Sequence, residues 1–425
     1  MDAKVFFFNS LLQGGASIAA QRLFDSLVAN GVNGSFFSFD KSNKKSYKGF
    51  PFSNGEQTED KIQPYYYHVD IYRYLNDRPS FYELFSLPFL KRETFFPELG
   101  DPSLIIHLHW IAHLIDYPSF FRSIPNDTPI VWTLHDMNPF TGGCHYAWEC
   151  DKFVTHCHTC PQLNDNKSKN DLSFRNFRIK LKALQNKNIH IVAGSKWIEQ
   201  LARKSTILKN VKSIQTIYCG LNTNTFYPIN KSLAKTALGI ADDSFVIAFG
   251  AEYIHNRRKG FDKLIEALKI VALHIPNAFF LIFGNNEECE SVEKTIKIPI
   301  LNLGFLKTDV LLNLSYSAAD IFVIPSIYES FGQTSLEAMA CCTPVVGFKT
   351  GGIPEMVKDF ETGLMAVMGD SIGLANKIIF LYSNKIQRIQ MGINARKMVE
   401  EKFSIENQTQ QYIKLYEKLK KNNNY

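Results

Sequence analysis

The chain has 425 residues, 45% of them hydrophobic and 21% charged, with a formal net charge of +6. That length exceeds one ordinary core and predicts two domains, and no apolar run of about 18 residues is present to predict a transmembrane helix. The mild positive charge suits anionic small molecules or an anionic membrane surface and is too weak to indicate nucleic acid.

The opening segment MDAKVFFFNS lacks a basic stretch followed by a long apolar run, so a signal peptide is not expected there and a cytoplasmic setting is. KVFFFN reads as a first strand. Gly14 and Gly15 follow, and ASIAAQRLFDSLVANG then places Ile18, Leu23, Leu27 and Val28 at helical spacing with Gly31 as a stop. Residues 41–100 interrupt the pattern. KSNKKSYKGF is a polar, lysine-rich loop, and the stretch from Tyr65 to Phe96 is dense in aromatics beside Arg and Lys. One reading is a helical insertion over the first sheet. The other is a surface for a lipid-linked acceptor, making the protein peripheral on the inner face of the cytoplasmic membrane.

Further strand candidates are SLIIHLHW, PIVWTLH, IHIVAGS and SIQTIY. After GLNTNTFYP the alternation restarts with FVIAFG, FDKLIEALKIVALHI, AFFLIFG, ILNLGF, LLNLSYSAA, IFVIPS, TSLEAMACC and PVVGF. Short continuous apolar runs suit strands buried on both faces of a parallel sheet. Two such blocks predict an α/β fold of two doubly wound domains, expected at 1–222 and 223–404. The last stretch, 405–425, reads as an amphipathic helix with a basic tail, expected to pack back on the first domain.

The segment SIYESFGQTSLEAMACCTPVV carries Glu329 and Glu337, eight positions apart. IFVIPS is a strand ended by Pro325 and TSLEAMA a helix start, so IYESFGQ is the loop at the carboxyl end of the strand, where open α/β sheets bind ligands. Thr334 is the expected N-cap, leaving the amides of Gln333, Thr334 and Ser335 at the positive end of the helix dipole as an anion seat. Gly332 permits close backbone approach. The structural alternative for Glu337 is a capping box with Thr334, and for Glu329 a solvated loop carboxylate. Carboxylates beside a phosphate seat suit hydroxyls, which they accept well. An anion flanked by hydroxyl acceptors describes a nucleotide sugar.

These residues, followed by TGGIPEMV and TGLM, resemble the donor-site signature of the family-4 retaining glycosyltransferases of GT-B fold, in which two Rossmann-like domains face each other across a cleft. QGGAS, HLHW, VWTLHD, IVAGSKWIEQLARKS, IYCGLNTNTFYP and RRKGFDKLIEAL extend the resemblance along most of the chain in the family order. The resemblance implies that Glu329 holds the hydroxyls of the donor sugar and Glu337 the ribose. It implies that Phe331, Gly332, Gln333 and Thr334 offer amides to the sugar and diphosphate, and that Lys259 and Arg258 neutralise the diphosphate. Gly14 and Gly15 would let the first loop approach the donor or acceptor. His135 in TLHD would face the reacting sugar, with His109 and His113 as weaker candidates. The family places an Arg after the Gly ending the first strand of the second domain. Here Ala251 and Glu252 follow Gly250, so the second cation must come from Arg257 or Arg258.

Four cysteines crowd into residues 144–160: Cys144, Cys150, Cys157 and Cys160. Cys-x2-Cys with two further thiols nearby can close a tetrahedral zinc site, so a structural zinc is expected to fold the loop after TLHD; disulfides or free thiols are the alternatives. The expected function is transfer of a hexose from a UDP- or GDP-sugar to a glycan or lipid-linked glycan with retention, in capsule, lipopolysaccharide or other surface-polysaccharide biosynthesis. No cofactor is expected for catalysis, because fixed cations and amides would carry the leaving-group charge. The rival readings are a sugar-nucleotide epimerase on the same fold and a zinc-module nucleic-acid-binding protein. Against the second stand the donor motif and weak net charge.

Overall fold

A computed structural model describes residues 4–39, 47–49, 75, 78–79, 81–90, 93–94, 99, 101, 103–164, 168–254, 256–285 and 295–423. The chain divides into two compact units, Met1–Tyr218 with Gln408–Tyr425, and Cys219–Asn407.

The first unit is built on strands β1 (Lys4–Phe8), β2 (Asn33–Ser38), β3 (Tyr47–Gly49), β4 (Leu104–Leu108), β5 (Ile130–Leu134), β6 (Ile189–Ala193) and β7 (Ser213–Thr216). They form one sheet in the order β3-β2-β1-β4-β5-β6-β7, and every pairing is parallel. The Phe run of β1 shows why. Successive strand side chains point to opposite faces, so Phe6 and Phe8 join one core cluster and Val5 and Phe7 the other. A strand apolar at every position is stable only when covered on both sides. The second cover includes the helix Ile405–Asn423. Its Tyr412, Leu415, Tyr416 and Leu419, spaced on one helical face, lie in the Val5–Phe7 cluster. The Tyr416 hydroxyl meets His107 Nδ1 at 2.7 Å, and the Tyr412 hydroxyl meets Thr133 Oγ1 at 2.7 Å.

The second unit carries β8 (Phe245–Tyr253), β9 (Ala278–Asn285), β10 (Ile300–Asn302), β11 (Ile321–Ile324), β12 (Val345–Phe348) and β13 (Gly363–Ala366). These form a parallel sheet in the order β10-β9-β8-β11-β12-β13. In both sheets the chain runs outward from its first strand, then crosses back to that strand's other side. The reversals fall between β1 and β4 and between β8 and β11. Loops diverge at such a switch point and leave a crevice beyond the strand ends.

The lysine-rich stretch 41–46 and nearly all of 50–77 lie outside the described residues. Residues 81–90 are irregular, where a helical insertion was expected. Pro79 and Pro88 bracket the segment, and it is held as an extended strap. Phe85 bridges Cys144, and the Ser86 amide donates to the Gly143 carbonyl at 2.8 Å. Phe85 and Leu87 are buried in the first core, while Phe81 and Leu84 are 44% and 48% exposed. Among the described residues no helix is long and apolar enough to cross a membrane.

Candidate active site

In the second unit, β11 ends at Ile324 and the chain crosses Pro325–Phe331 before the helix Gln333–Ala340. Neighbouring β8 leads into the basic turn Arg257–Lys259. Because β8 and β11 are adjacent, the two loops run side by side at the switch point. The Ile327 amide donates to the Arg258 carbonyl at 2.8 Å, tying them together. Gly260, at φ +66°, lets the basic turn pass: a Cβ there would stand 1.9 Å from the Pro325 carbonyl oxygen. Gly351 does the same for the other wall, where the Gly352 amide donates to the Glu329 carbonyl at 2.9 Å.

Glu329 is the centre of this arrangement and is buried. Lys259 Nζ donates to its Oε2 at 2.7 Å, with Arg258 Nη1 and Ser326 Oγ each at 3.3 Å from the same oxygen. Arg258 is steadied by donating to the Tyr328 carbonyl at 2.9 Å. Burial pushes the Glu329 carboxyl up, but Lys259 and Arg258 outweigh it and hold the group at about 2. Burial lowers Lys259, partly offset by Glu329. Glu329 is thus a fixed anion at neutral pH. Its Oε1 makes no hydrogen bond among the described residues and is not sealed from solvent. One oxygen is clamped by cations; the other is open to accept.

The structure differs from the sequence reading in three details here. The helix begins at Gln333, with Gly332 in the left-handed region (φ 98°) at the cap position and no side-chain cap bond. Thr334 is therefore not the N-cap. The Ser335 amide is turned back onto the Gly332 carbonyl at 3.0 Å, which takes it out of the anion seat. Glu337 forms no capping box with Thr334; it is buried and accepts the Tyr316 hydroxyl at 2.8 Å. The Gly332 and Thr334 amides have no hydrogen-bond partner among the described residues. Lys259 and Arg258, which the resemblance assigns to the diphosphate, pair directly with Glu329. Of the two arginines proposed for the second cation, Arg258 reaches Glu329. Glu252, whose carboxyl burial pushes up, lies in the field of Lys259.

In the first unit, Gly14 (φ 91°) stands at the N-cap of the helix Gly15–Ala29, and Gly15 faces open space. This turn sits at the carboxyl edge shared by β1, β4 and β5. Ser10 Oγ donates to the Trp110 carbonyl at 2.9 Å, and the Trp110 amide to Asn9 Oδ1 at 3.0 Å. His135 directly follows β5. Its Nε2 meets His109 Nδ1 at 3.0 Å, and burial lowers its pKa to about 4. Asp136 is fully engaged. It takes His145 Nδ1 at 2.6 Å, Trp110 Nε1 at 2.9 Å and the Asn138 amide at 2.8 Å. Sequence reasoning passed over His145 and Trp110 as members of this network, since nothing in their spacing points to Asp136. His113 lies outside this pair and meets Ser86 Oγ at 3.1 Å.

The expected zinc site is not formed: among the described residues no three His, Cys, Asp or Glu side chains are grouped to hold a metal ion. Cys144, Cys150, Cys157 and Cys160 are free thiols lining one cavity of about 20 Å³. Three of them are core residues, packed with Phe85, Ala147 and Phe153. Burial pushes the Cys144 thiol up to about 11 and Cys157 and Cys160 further. Cys144, Cys157 and Cys160 pack as small hydrophobes. The Gly142 amide donates to Cys157 Sγ at 3.2 Å.

Two parallel α/β units, each with a topological switch point, make up a GT-B fold. Residues 230–398, wholly within the second unit, match the family described as Glycosyl transferases group 1. The sucrose-phosphate synthase of Thermosynechococcus elongatus superposes with a TM-score of 0.70 at 20% identity, over 98% of this chain and 99% of that one. Anabaena HepE, solved in complex with UDP and glucose, superposes with a TM-score of 0.66 at 17% identity, over 98% of this chain and 100% of that one. In sequence, N-acetyl-alpha-D-glucosaminyl L-malate synthase of Bacillus anthracis is 28% identical over 214 residues, 49% of this chain and 55% of that protein. The chain spans about half the length of the curated relatives it matches.

Proposed function

We propose that this protein is a retaining glycosyltransferase of family-4 type, which moves a hexose from a UDP- or GDP-sugar to a glycan or lipid-linked glycan of the cell surface. The second unit (223–404 in the sequence reading) takes the donor, and the first takes the acceptor. The observation that carries this reading is the asymmetry of Glu329: Oε2 is held by Lys259 and Arg258, while Oε1 has no partner among the described residues. A carboxylate so fixed is a hydroxyl acceptor with cations one bond away.

On this reading the sugar hydroxyls bond Glu329 Oε1, and Lys259 and Arg258 share their charge with the incoming diphosphate. The Gly332 and Thr334 amides, with Phe331 and Gln333 beside them, add the positive end of the helix dipole. Glu337 stands about one helical turn on from Gln333, at the ribose end. In the reaction the anomeric carbon–oxygen bond to the β-phosphate breaks and its electron pair leaves with the diphosphate. The acceptor hydroxyl oxygen bonds the same face of the anomeric carbon, and its proton passes to the departing phosphate oxygen. Glu329 positions the donor and is neither nucleophile nor acid. His135, neutral above about pH 4, hydrogen-bonds a sugar hydroxyl. The surface-polysaccharide role and a peripheral membrane contact rest on the exposed Phe81 and Leu84 strap and the mild net charge.

The test is a thermal-shift panel of UDP-, GDP- and ADP-sugars. One nucleotide class is expected to raise the melting temperature in a saturable way, followed by product analysis with retained anomeric configuration. No stabilisation by any of the three sinks the proposal, and turnover of the sugar nucleotide to an epimer without acceptor transfers it to an epimerase.

A further inference from the structure

We infer that His109 is a positioning residue: it holds His135 in the tautomer that carries its proton on Nδ1, so that His135 donates a hydrogen bond to a hydroxyl oxygen of the bound sugar. The inference rests on the glycosyltransferase reading for the identity of that hydroxyl, and on the geometry of two neutral rings for the tautomer.

His109 closes the carboxyl end of β4. Its amide donates to the Phe8 carbonyl at 2.9 Å, and its own carbonyl accepts Trp132 Nε1 at 3.1 Å, so the backbone is fixed on both sides. The ring is 2% exposed. It stacks on Phe7 at 5.2 Å and leans on His107 at 4.3 Å. His107 cannot donate to it, because both His107 nitrogens are engaged by Tyr416 and Thr133. This leaves His109 one polar contact, Nδ1 to His135 Nε2 at 3.0 Å, while its Nε2 is buried with no hydrogen-bond partner among the described residues.

Burial keeps both rings neutral, so a single proton lies between them. Two arrangements exist. If His135 Nε2–H donates, His109 Nδ1 is the acceptor and His109 must carry its own proton on Nε2. That buries an N–H with no acceptor among the described residues, at the cost of desolvating the donor. If His109 Nδ1–H donates, its Nε2 is a bare lone pair and no donor is stranded. The second arrangement is therefore favoured. It leaves His135 Nε2 as acceptor and places the proton of His135 on Nδ1. That nitrogen makes no hydrogen bond among the described residues and is open to solvent. Asp136, the adjacent carboxylate, does not compete for the proton, since His145, Trp110 and the Asn138 amide occupy it. A buried histidine behind a partly exposed one thus works as second-layer partners do at ligand sites, by fixing tautomer and ring direction.

The experiment is long-range proton–nitrogen NMR on the 425-residue chain labelled at histidine, with His135→Gln to assign the signal. Wild type is expected to show His135 protonated at Nδ1 near neutral pH. His109→Phe, which keeps the stack on Phe7 but removes the donor, is expected to shift His135 toward Nε2 protonation. His109→Asn, whose side-chain amide can occupy the Nδ1–H position, is expected to restore Nδ1 protonation. In parallel, nucleotide release from UDP-glucose and GDP-mannose is followed. His109→Phe is expected to lower kcat about tenfold with little change in donor KM, and His109→Asn to recover most of it. Wild-type His135 protonated at Nε2, or a signal that His109→Phe does not move, overturns the inference, and neither reading needs an active substrate. A confirmed tautomer with no turnover of either sugar upholds the positioning and counts instead against the glycosyltransferase reading.

Discussion

Glu329→Gln is the most informative single change, because it separates donor positioning from anion binding. The depression of the Glu329 carboxyl from 4.5 to about 2 means that its surroundings favour the charged form by about 3 kcal/mol. A glutamine keeps the shape and loses that interaction. Its open oxygen accepts a sugar hydroxyl more weakly, since hydrogen bonds to charged groups contribute about 1.5–3 kcal/mol against about 1 for neutral ones. Turnover is expected to fall roughly 10- to 100-fold. Lys259 and Arg258, released from Glu329, meet the diphosphate with their full charge, so UDP or GDP is expected to bind as well as to wild type or better. The assay is titration calorimetry with the nucleotide, then steady-state kinetics at saturating donor. Weaker nucleotide binding with normal turnover at saturation would refute the reasoning, for it would make Glu329 part of the anion site.

Gly260→Ala places a Cβ 1.9 Å from the Pro325 carbonyl at a φ of +66°, so it should displace the Lys259 turn. The nucleotide-sugar thermal shift is expected to vanish while circular dichroism stays native; an undiminished shift contradicts it. Stability should fall in mild acid. Burial holds His113, His135 and His190 near 4 against an ordinary 6.5. The unfolded chain therefore takes up protons that the fold refuses, and stability is lost as pH falls from about 6.5 toward 4. Each of these partly exposed rings contributes at most roughly 1.4 kcal/mol per pH unit in that window, reduced by solvent screening. A melting temperature constant from pH 7 to 4.5 would count against this. Tyr416→Phe removes the hydroxyl from His107 and should cost about 1 kcal/mol. Deleting residues 408–425 uncovers the Val5–Phe7 face and should leave the first unit unable to fold. Chemical denaturation of the pair checks both, and a stable truncated chain would show that the helix is dispensable.

The sheet centres were legible because their physics is local. KVFFFN, IFVIPS and PVVGF are apolar at every position, which only doubly covered strands tolerate. The edges were not. β2 opens on Asn33-Gly34, a turn signal, and β13 is four residues between turn residues; their strand character comes from neighbours, which a local pattern does not contain. The donor loop was readable as strand, loop and helix. The helix start was misplaced by two residues, because Gly332 in a left-handed conformation caps without a side chain and Thr334 looked the better cap. The spacing of the cysteines matched a metal pattern, but the number of thiols on a loop does not reveal that Phe85 and Phe153 pack among them. His109 was noted only weakly, since its partner lies on the next strand of the sheet and its unpaired nitrogen is a property of packing.

The central claim is that Lys259, Arg258 and the Gly332–Thr334 turn seat the diphosphate of a nucleotide sugar. Titration calorimetry of the chain with UDP-glucose and GDP-mannose, wild type against Lys259→Ala, tests it most directly. Saturable binding of one sugar nucleotide, weakened at least about tenfold by the substitution, is the predicted result. Binding of neither, or equal binding by both proteins, would contradict the account.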